Sequence, residues 1–409
     1  MTNLPQGWEV KTLSEIGEII TGSTPSKSNV EFYRKDYPFF KPSDFEQGYF
    51  LENAGDNLSK LGFGKARQLP PKTILVVCIG SLGKVALTRV IGSCNQQINA
   101  IIPHKNIIAE YIYYYCISSK FQSILFSKAP QTTLAIFNKT EFSKLEIIYP
   151  KDIKEQERIV GILDFAFSKI DENIKKAKEN LANIDELMQS ALQKAFNPLK
   201  DNAKENYKLP QGWEWKSLGE IGNTSSGGTP LRNKKEYWEN GSIKWLKSGE
   251  LNDGYIDFIE ENITEEAIEN SSAKIFQKGT LLIAMYGATA GRLGILNLDS
   301  ATNQAVCAFL HKDNKNIKFL EKFLFYFLFF IRDKIIKDSF GGAQPNISQT
   351  YIKNLQIPLP PLKEQEQIAK HLDFIFEKTK ALKELYTKEL KDYEELKQSL
   401  LDKAFKGEL

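Results

Sequence analysis

Two short amide-rich segments carry the side chains best suited to hydrogen-bond the edges of DNA bases. Asn95-Gln96 occurs in the first half of the 409-residue chain and Asn303-Gln304 in the second, each just before a predicted strand. An Asn or Gln amide can bond adenine through two hydrogen bonds, whereas Lys and Arg suit guanine. The same pairs could instead be buried hydrogen-bonding devices. The sequence favours this structural role, because both halves keep the pair while other polar loops diverge.

Loops that differ between the two halves are better candidates for sequence-specific contacts. The segment 41–44 aligns with 247–250, and the segment 129–133 aligns with 341–346. In each aligned pair the loop is present in both halves, but its side chains differ. Two modules that recognise different short DNA sequences would require such differences. The candidate base-contacting residues in these loops are Lys41, Ser43, Asp44, Gln131, Thr132, Lys247, Ser248, Glu250, Gln344 and Asn346.

A glycine-rich segment follows a buried strand in each half. Gly80-Ser81-Leu82-Gly83-Lys84 resembles a phosphate-binding loop, but its spacing is too short and no hydroxyl residue follows the lysine. Its repeat ends in Arg292 and is one residue longer. Two interpretations stay open: a tight turn between strands, or a loop that presents Lys84 and Arg292 to a phosphate backbone.

Motifs for independent catalysis are missing from the sequence. There is no Gly-x-x-x-x-Gly-Lys-Ser/Thr and no Gly-x-Ser-x-Gly, and the three histidines lie away from one another and from ligand-spaced acidic residues. The four cysteines never form Cys-x-x-Cys, which fits reduced thiols in a cytoplasm and argues against structural zinc. We therefore expect no catalytic residues, no metal and no cofactor in this chain.

The composition predicts a cytoplasmic protein without a membrane span. The N-terminus lacks the basic and apolar regions of a signal peptide, and no apolar run of about 18 residues exists. The nearest candidate, 323–331, is short and flanked by Lys322 and Arg332, so it predicts a buried helix. A net charge of +3 neither demands nor excludes nucleic acid.

The elements that must position these side chains come from one unit that occurs twice. The segment Leu4-Pro5-Gln6-Gly7-Trp8-Glu9 recurs unchanged at 209–214, and Gly22, Thr24 and Pro25 recur as Gly227, Thr229 and Pro230. Lys154-Glu155-Gln156-Glu157 recurs as Lys363-Glu364-Gln365-Glu366. The repeat is far too long for a solenoid. It predicts two similar domains related by an approximate two-fold axis.

Each half reads as a mixed α/β region followed by one long helix. Apolar runs bounded by glycine or proline predict strands, and two aromatic-rich stretches, 110–125 and 319–336, predict helices. The predicted strands are 74–79, 85–90, 98–102 and 145–150 in the first half, and 281–286, 293–296, 305–310 and 355–360 in the second.

The segments 153–196 and about 362–405 each predict a helix with a coiled-coil stripe. The first stripe includes Ile159, Leu163, Ile170, Ile174, Leu181 and Ile184, and the second includes Ile368, Leu372, Leu382 and Leu390. One interpretation is two separate helices, each lying on its own domain. A helix of roughly 66 Å exceeds a small domain, however, so each stripe needs a partner. If a two-fold axis relates the helices, they must pair antiparallel.

The chain resembles the specificity subunits of type I restriction-modification systems, because the same features follow one another in the same order in both halves. The residues that carry the resemblance are the Leu-Pro-Gln-Gly-Trp-Glu heads, the Gly-x-Thr-Pro segments, and the prolines followed by Lys-Glu-Gln-Glu and a long helix. The resemblance spans nearly the whole chain. It divides the chain into a target-recognition domain at 1–150, a spacer helix at 151–198, a linker at 199–208, a second recognition domain at 209–360 and a second spacer helix at 361–409.

The family implies a non-catalytic subunit in which each recognition domain reads half of a split, asymmetric site in double-stranded DNA. The helices, including Glu155, Gln156, Glu364 and Gln365, would set the gap and dock two methyltransferase subunits that carry S-adenosylmethionine. Restriction subunits that use ATP and Mg²⁺ would join that core. Two alternatives stay open: a protein-binding scaffold that does not touch DNA, and a fused methyltransferase or nuclease, whose Asn/Asp-Pro-Pro-Tyr/Phe motif is missing.

Overall fold

The computed structural model describes residues 4–128, 136–196, 209–312, 318–339 and 346–409. The chain forms two compact units. Unit 1 consists of Met1–Lys178 together with Tyr386–Leu409, and unit 2 consists of Glu179–Leu385. Each unit therefore contains one globular domain and a part of each long helix.

The domain of unit 1 is built from short strands and short helices. Its strands are β1 Trp8–Thr12, β2 Gly17–Thr21, β3 Tyr37–Phe40, β4 Phe50–Leu51, β5 Asp56–Leu58, β6 Gln68–Leu69, β7 Ile74–Val77, β8 Val85–Thr88, β9 Gly92–Cys94, β10 Ile98–Pro103 and β11 Glu146–Pro150. Its helices are α1 Leu13–Ile16, α2 Lys60–Lys65, α3 Ala109–Ile117, α4 Ser119–Lys128 and α5 Lys139–Ser143, and 3-10 helices cover Val30–Phe32 and Pro42–Gln47.

Three sheets organise this domain. The central sheet has the strand order β2-β10-β7-β8-β4, a second has the order β5-β3-β9-β6, and β1 pairs antiparallel with β11. The middle strand β7 is completely buried on both faces, as expected for a continuous apolar run. The helices α3 and α4 cover one face, where Tyr111, Ile112 and Phe121 join the core.

The domain of unit 2 repeats this architecture element by element. After the long helix α6 Ile153–Phe196, its strands are β12 Glu214–Ser217, β13 Gly222–Ser226, β14 Ile243–Leu246, β15 Gly254–Ile256, β16 Asn262–Ile263, β17 Ile275–Phe276, β18 Leu281–Ala284, β19 Leu293–Leu296, β20 Ser300–Thr302, β21 Val306–His311 and β22 Gln356–Leu359. Its helices are α7 Leu218–Ile221, α8 Glu265–Glu269, α9 Glu321–Phe330, α10 Arg332–Lys337 and α11 Gln349–Asn354, with 3-10 helices at Lys235–Tyr237, Ser248–Glu250 and Gly287–Thr289.

The sheets of the second domain have the same connectivity as those of the first. Their strand orders are β13-β21-β18-β19-β15, β16-β14-β20-β17 and β12-β22. The internal repeat predicted from the sequence is thus a repeat of topology. The apolar run at 323–331 lies in α9 up to Phe330, and its residues 323–328 are buried in the core of this domain. Within the described residues, no helix combines the length and apolar character that a membrane crossing requires.

The two long helices, α6 and α12 Leu362–Ala404, match the predicted spans closely. Leu163, Ile170, Ala177, Ile184 and Ala191 recur every seven residues, and all of them are buried. This spacing is that of a coiled-coil seam. The seam keeps one face of α6 out of solvent along most of its length.

The helices run antiparallel within each unit. In unit 1, Arg158 donates to the backbone carbonyl of Leu409 at 2.7 Å, and Asp171 pairs with Lys397 at 2.5 Å. In unit 2, Asp185 pairs with Lys383. The predicted fold class is therefore confirmed: two similar mixed α/β domains and two long antiparallel helices.

Three details of the predicted helices are wrong. The predicted helix 319–336 begins only at Glu321 and is interrupted at Ile331, which separates α9 from α10. The predicted single helix 110–125 breaks at Ser118, whose hydroxyl donates to the Tyr115 carbonyl and so ends α3. On α12 the predicted seam residue Leu382 is 40% exposed, while Thr379 is buried in the heptad register of Leu372. The Thr379 hydroxyl donates to the Ile375 carbonyl at 2.9 Å, which allows a polar residue to occupy an apolar seam.

Candidate nucleic-acid interface

The Gly-x-Thr-Pro loop of unit 1 packs directly on the Asn95-Gln96 turn. A Cβ atom on Gly22 would lie 2.0 Å from the Asn95 carbonyl oxygen, so only glycine allows this approach. The Thr24 hydroxyl donates to Gln96 Oε1 at 2.5 Å. Two motifs that the sequence analysis treated separately therefore form one loop cluster.

Unit 2 builds the same cluster from the repeated residues. A Cβ atom on Gly227 would lie 2.0 Å from the Thr302 carbonyl oxygen, and the Thr229 hydroxyl donates to Gln304 Oε1. Because Thr24 and Thr229 bond the amide oxygens, the amide NH₂ groups of Gln96 and Gln304 are left as donors. Both glutamines are exposed.

The two members of each Asn-Gln pair have different surroundings. Asn95 is buried, its Nδ2 donates to Gln97 Oε1 at 2.8 Å, and its backbone N–H donates to the Phe40 carbonyl. Asn303 likewise donates its backbone N–H to Leu246, although its Oδ1 is a buried acceptor without a partner among the described residues. The structural interpretation fits Asn95, whose side chain is buried and hydrogen-bonded. It is not supported for Asn303, which is partly exposed and whose Oδ1 has no partner among the described residues. Gln96 and Gln304 remain candidates for contact with DNA.

The loops at Lys41 and Lys247 are built on equivalent hydrogen bonds. The Lys41 backbone N–H donates to Asp44 Oδ2 at 2.7 Å, and the Lys247 backbone N–H donates to Glu250 Oε2 at 2.8 Å. Asp44 also accepts from the Gly55 backbone at 2.9 Å. These two carboxylates therefore hold loop backbone, as helix-capping acids do.

In both loops the serine hydroxyl and the lysine ammonium group therefore remain as candidates for contact with DNA. Ser43 is exposed and Ser248 is partly exposed. Each lysine forms an ion pair at an equivalent position: Lys41 with Asp56, and Lys247 with Glu261 at 2.6 Å.

Arg232 adds a second cation to the ion pair of unit 2. Its guanidinium donates to Glu261 at 2.7 Å and stacks 3.8 Å from the Trp238 ring centroid. Burial alone would raise the pKa of Glu261, but the hydrogen bonds from Lys247 and Arg232 outweigh it and hold that pKa below its usual value. The hydrogen bond with Glu261 in turn raises the pKa of Lys247.

The glycine-rich segments are hairpin connections between antiparallel strands, 78–84 between β7 and β8 and 285–292 between β18 and β19. Gly80 and Gly83 have φ of 84° and 89°, and Gly287 and Gly291 have φ of 74° and 80°. The Val77 backbone accepts from Gly83 at 2.9 Å, which closes the turn between β7 and β8. Lys84 forms an ion pair with Glu46, while Arg292 is exposed. The turn interpretation is thus confirmed, and a role of these cations toward phosphate stays a prediction.

Several further candidates fall in the second pair of loops. Gln131, Thr132 and Gln344 lie outside the described residues. Asn346 is exposed and forms an antiparallel bridge with Tyr286, next to the turn that begins at Gly287.

The repeated Lys-Glu-Gln-Glu motif fixes each long helix to its own domain. Gln156 is fully buried; its Oε1 accepts from the Ile108 backbone at 2.9 Å and its Nε2 donates to the Pro150 carbonyl at 2.9 Å. Gln365 makes the same bonds with Leu320 and Pro360. These glutamines therefore act within the chain and offer nothing to a partner.

The other helix candidates divide between the interior and the surface. Ile159, Leu163, Ile170, Ile184 and Leu372 are buried, whereas Ile174, Leu181, Ile368, Leu390, Glu155 and Glu364 are partly exposed. Glu155 pairs with Arg158 through two bonds of 2.7 Å. The sequence did not predict the most exposed aromatic residues of the helices, Phe165 at 70% and Phe374 at 60%.

Sequence reasoning also missed basic residues next to the Gly-x-Thr-Pro loops. Arg67 donates to the Thr21 carbonyl in unit 1, and Lys274 donates to the Ser225 hydroxyl at 3.2 Å in unit 2. Lys27 occupies the sequence position equivalent to Arg232. The register of the internal repeat aligns each of these pairs and could have identified them.

The described residues contain no cluster of three or more His, Cys, Asp or Glu side chains that could hold a metal ion. All four cysteines are free and buried, and burial raises the pKa of Cys78, Cys94 and Cys307 to about 12. Such thiols are protonated at neutral pH and are poor nucleophiles.

Comparisons with known proteins agree with this architecture. Residues 5–183 and 210–392 each match the model of the type I restriction modification DNA specificity domain. The HindI specificity subunit of Haemophilus influenzae is 39% identical over 176 residues, covering 42% of this chain and 38% of that subunit. The match thus spans less than half the length of that relative. The MjaIX specificity subunit of Methanocaldococcus jannaschii is 25% identical over 88% of this chain and 84% of its own.

Two solved structures share the fold. A chain from a structure on the complex assembly and conformational transition of the type I R-M system has a TM-score of 0.79, 22% identity and full coverage of both chains. The HsdS subunit of Thermoanaerobacter tengcongensis has a TM-score of 0.58 and 22% identity, covering 99% of this chain and 98% of its own. With the specificity domain matched twice over most of its length, the chain belongs to the family of type I restriction-modification specificity subunits, the non-catalytic subunits of those systems.

Proposed function

We propose that each domain reads one half of a bipartite, asymmetric site in double-stranded DNA. The observation that carries this proposal is the paired loop cluster: Thr24 with Gln96, and Thr229 with Gln304, on a shared backbone framework. Around that framework the exposed side chains differ between the domains. Two domains that recognise different DNA sequences in the same way would need this combination of a common backbone and different side chains.

The long helices would dock two methyltransferase subunits and set the gap between the half-sites. Phe165 and Phe374 occupy equivalent positions of the repeat, one in each unit, and both expose most of their side chain. Exposed aromatic anchors are typical of protein interfaces. Two equivalent anchors suit two copies of one partner.

In the full assembly, catalysis would belong to the partner subunits. The methyltransferase subunits would carry S-adenosylmethionine and methylate adenine, and restriction subunits would use ATP and Mg²⁺ to translocate and cut DNA. The complex would work in the cytoplasm, where its DNA target is found.

Domain exchange with motif mapping tests the reading of half-sites. Replacing residues 1–150 with the equivalent domain of another specificity subunit should change one half of the methylated motif. It should leave the other half and the gap unchanged, because the exchanged segment excludes both long helices. Replacing residues 209–360 is the matched control and should change only the other half.

Methylation-sensitive sequencing of a host that expresses each chimera with the methyltransferase reports the motif directly. A change in both half-sites at once would refute independent reading. If the assembled complex showed no salt-dependent DNA binding in a gel-shift assay, the protein-scaffold alternative would be favoured instead.

A further inference from the structure

A basic pocket lies beside the Gly-x-Thr-Pro loop in unit 1. Its volume is about 450 Å³, and it is lined by Lys27, Val30, Tyr33, Arg34, Lys35, Gly55, Asp56 and Asn57. Three of these residues are cations and one is an acid. The pocket is therefore a concave surface with an excess of positive charge, the kind of surface that concentrates anions.

The acid of this pocket is already engaged. Asp56 pairs with Lys41, whereas Lys27, Arg34 and Lys35 form no ion pair with the described residues. Burial, followed by the charge of neighbouring Lys27, lowers the pKa of Lys41. Because Asp56 is already paired with Lys41, the positive charges of Lys27, Arg34 and Lys35 are not neutralised and can attract another negatively charged group.

Unit 2 offers a natural comparison, because the equivalent positions carry a different charge balance. Glu239 and Asn240 replace Arg34 and Lys35 in the aligned sequence. Arg232, which replaces Lys27, is bound to Glu261 at 2.7 Å. Glu261, which replaces Asp56 of unit 1, has a longer side chain and accepts hydrogen bonds from both Arg232 and Lys247. In unit 2 a carboxylate of the chain itself therefore neutralises the residue equivalent to Lys27.

We propose that the pocket formed by Lys27, Arg34 and Lys35 binds a backbone phosphate of DNA, and that unit 2 has no equivalent phosphate site. This inference rests on the proposed reading of DNA by each domain. The contact strengthens binding regardless of base sequence, because phosphates carry no sequence information. It also makes the contribution of the two domains to affinity unequal.

The experiment measures how the binding constant depends on salt for the full chain assembled with its methyltransferase. The variant combines Lys27→Gln, Arg34→Gln and Lys35→Gln, and the probes are a duplex with the mapped motif and one without it. Loss of one phosphate contact should reduce the slope of log K against log salt by about 0.9. If the wild type and the variant have equal affinity at 1 M salt, this change in slope makes the variant bind about eightfold more weakly at 0.1 M salt. The loss should be the same for both duplexes.

A charge-matched control removes three other cations of unit 1, each paired with its own carboxylate: Lys11→Gln, Lys144→Gln and Lys151→Gln. The control should keep the wild-type slope. An unchanged slope in the pocket variant, an equal drop in the control, or a changed first half-site in the methylated motif would each overturn the inference. If the wild-type complex itself failed to bind DNA, the proposed function would fail instead.

Calorimetry with inorganic phosphate separates the two possible sources of the anion. We expect no saturable binding of millimolar phosphate to the wild-type complex. Binding that the pocket variant loses, combined with an unchanged DNA slope, would assign the pocket to a free anion and overturn the DNA assignment.

Discussion

Gln156 Nε2 lies 2.9 Å from the carbonyl oxygen of Pro150, so one amide joins the end of the closing strand β11 to the first turn of α6. Gln365 makes the corresponding bond to Pro360 at 3.0 Å. Pro150, the last residue of β11, and Pro360, the residue just after β22, therefore each form a corner with the glutamine that follows. That corner fixes the direction in which the helix leaves its domain.

Replacing Gln156 with alanine should lower the free energy of unfolding by about 3 kcal/mol, because the Ile108 N–H and the Pro150 carbonyl would lose their buried partner. Gln365→Ala should behave in the same way. Chemical denaturation measures the effect. Gln367→Ala, on an exposed face of α12, is the control and should change stability by less than about 0.5 kcal/mol. A loss of stability from Gln367→Ala as large as that from Gln156→Ala would contradict the corner model.

Gly22→Ala should displace the Gly-x-Thr-Pro loop and destabilise the chain by about 1–3 kcal/mol, because the new Cβ would collide with the Asn95 carbonyl at 2.0 Å. The assembled complex should also lose affinity for its DNA motif, since the Thr24–Gln96 bond depends on this loop. Gly64→Ala is the control within the same unit, because a Cβ there meets open space. Thermal unfolding and gel shift report the two effects, and normal stability of the Gly22 variant would count against the close approach.

Glu15 should contribute a pH-dependent part of the stability. Hydrogen bonds from the Thr12 backbone and hydroxyl, and then from Lys11, lower the pKa of Glu15 from 4.5 to about 2. Because the folded pKa lies below the unfolded value, this contribution is complete above pH 4.5 and is lost as the pH falls toward 2. The stability difference between wild type and Glu15→Gln should therefore shrink across that window. Denaturation at several pH values measures it, with Glu18→Gln as the control for removing an exposed carboxylate; a constant difference would exclude this role.

Phe165→Ser should weaken the binding of one methyltransferase subunit by about 30-fold or more without unfolding the chain, because a central aromatic anchor contributes about 2 kcal/mol or more to an interface. Phe374→Ser should weaken the binding of a second subunit equally, and the double variant should bind both subunits more weakly. Analytical ultracentrifugation gives the stoichiometry. Leu61→Ser removes a side chain of similar exposure, 51%, from the surface of a domain and should leave assembly intact. Full assembly of the double variant would show that the anchors lie elsewhere.

Strong periodicity explains which parts of the fold were predictable. The bounds 153–196 of α6 were predictable because this segment has no proline and its apolar residues recur at spacings of mostly 4 and 3. The strands β7 and β18 were predictable as continuous apolar runs. The sheets that contain β3 and β14 were not predicted, since their strands span only two to four residues and show no period.

The candidate site was predictable only where residues are close in sequence. Gln96 and Thr24 are separated by 72 positions, and Arg232 and Glu261 by 29. Such contacts depend on tertiary packing, which no local pattern reports. The internal repeat partly compensates, because a pairing found in one unit predicts its counterpart in the other.

Unit 2 is a single continuous stretch of chain, whereas unit 1 joins the first part of the chain to the last. Phe405 packs against Tyr111 and Tyr115 in the core of unit 1, with centroid separations of 5.4 and 4.9 Å. During synthesis on the ribosome, the domain translated first can therefore complete its hydrophobic core only after Phe405 has been made. The second unit takes all its residues from one earlier stretch of chain and does not depend on these last turns.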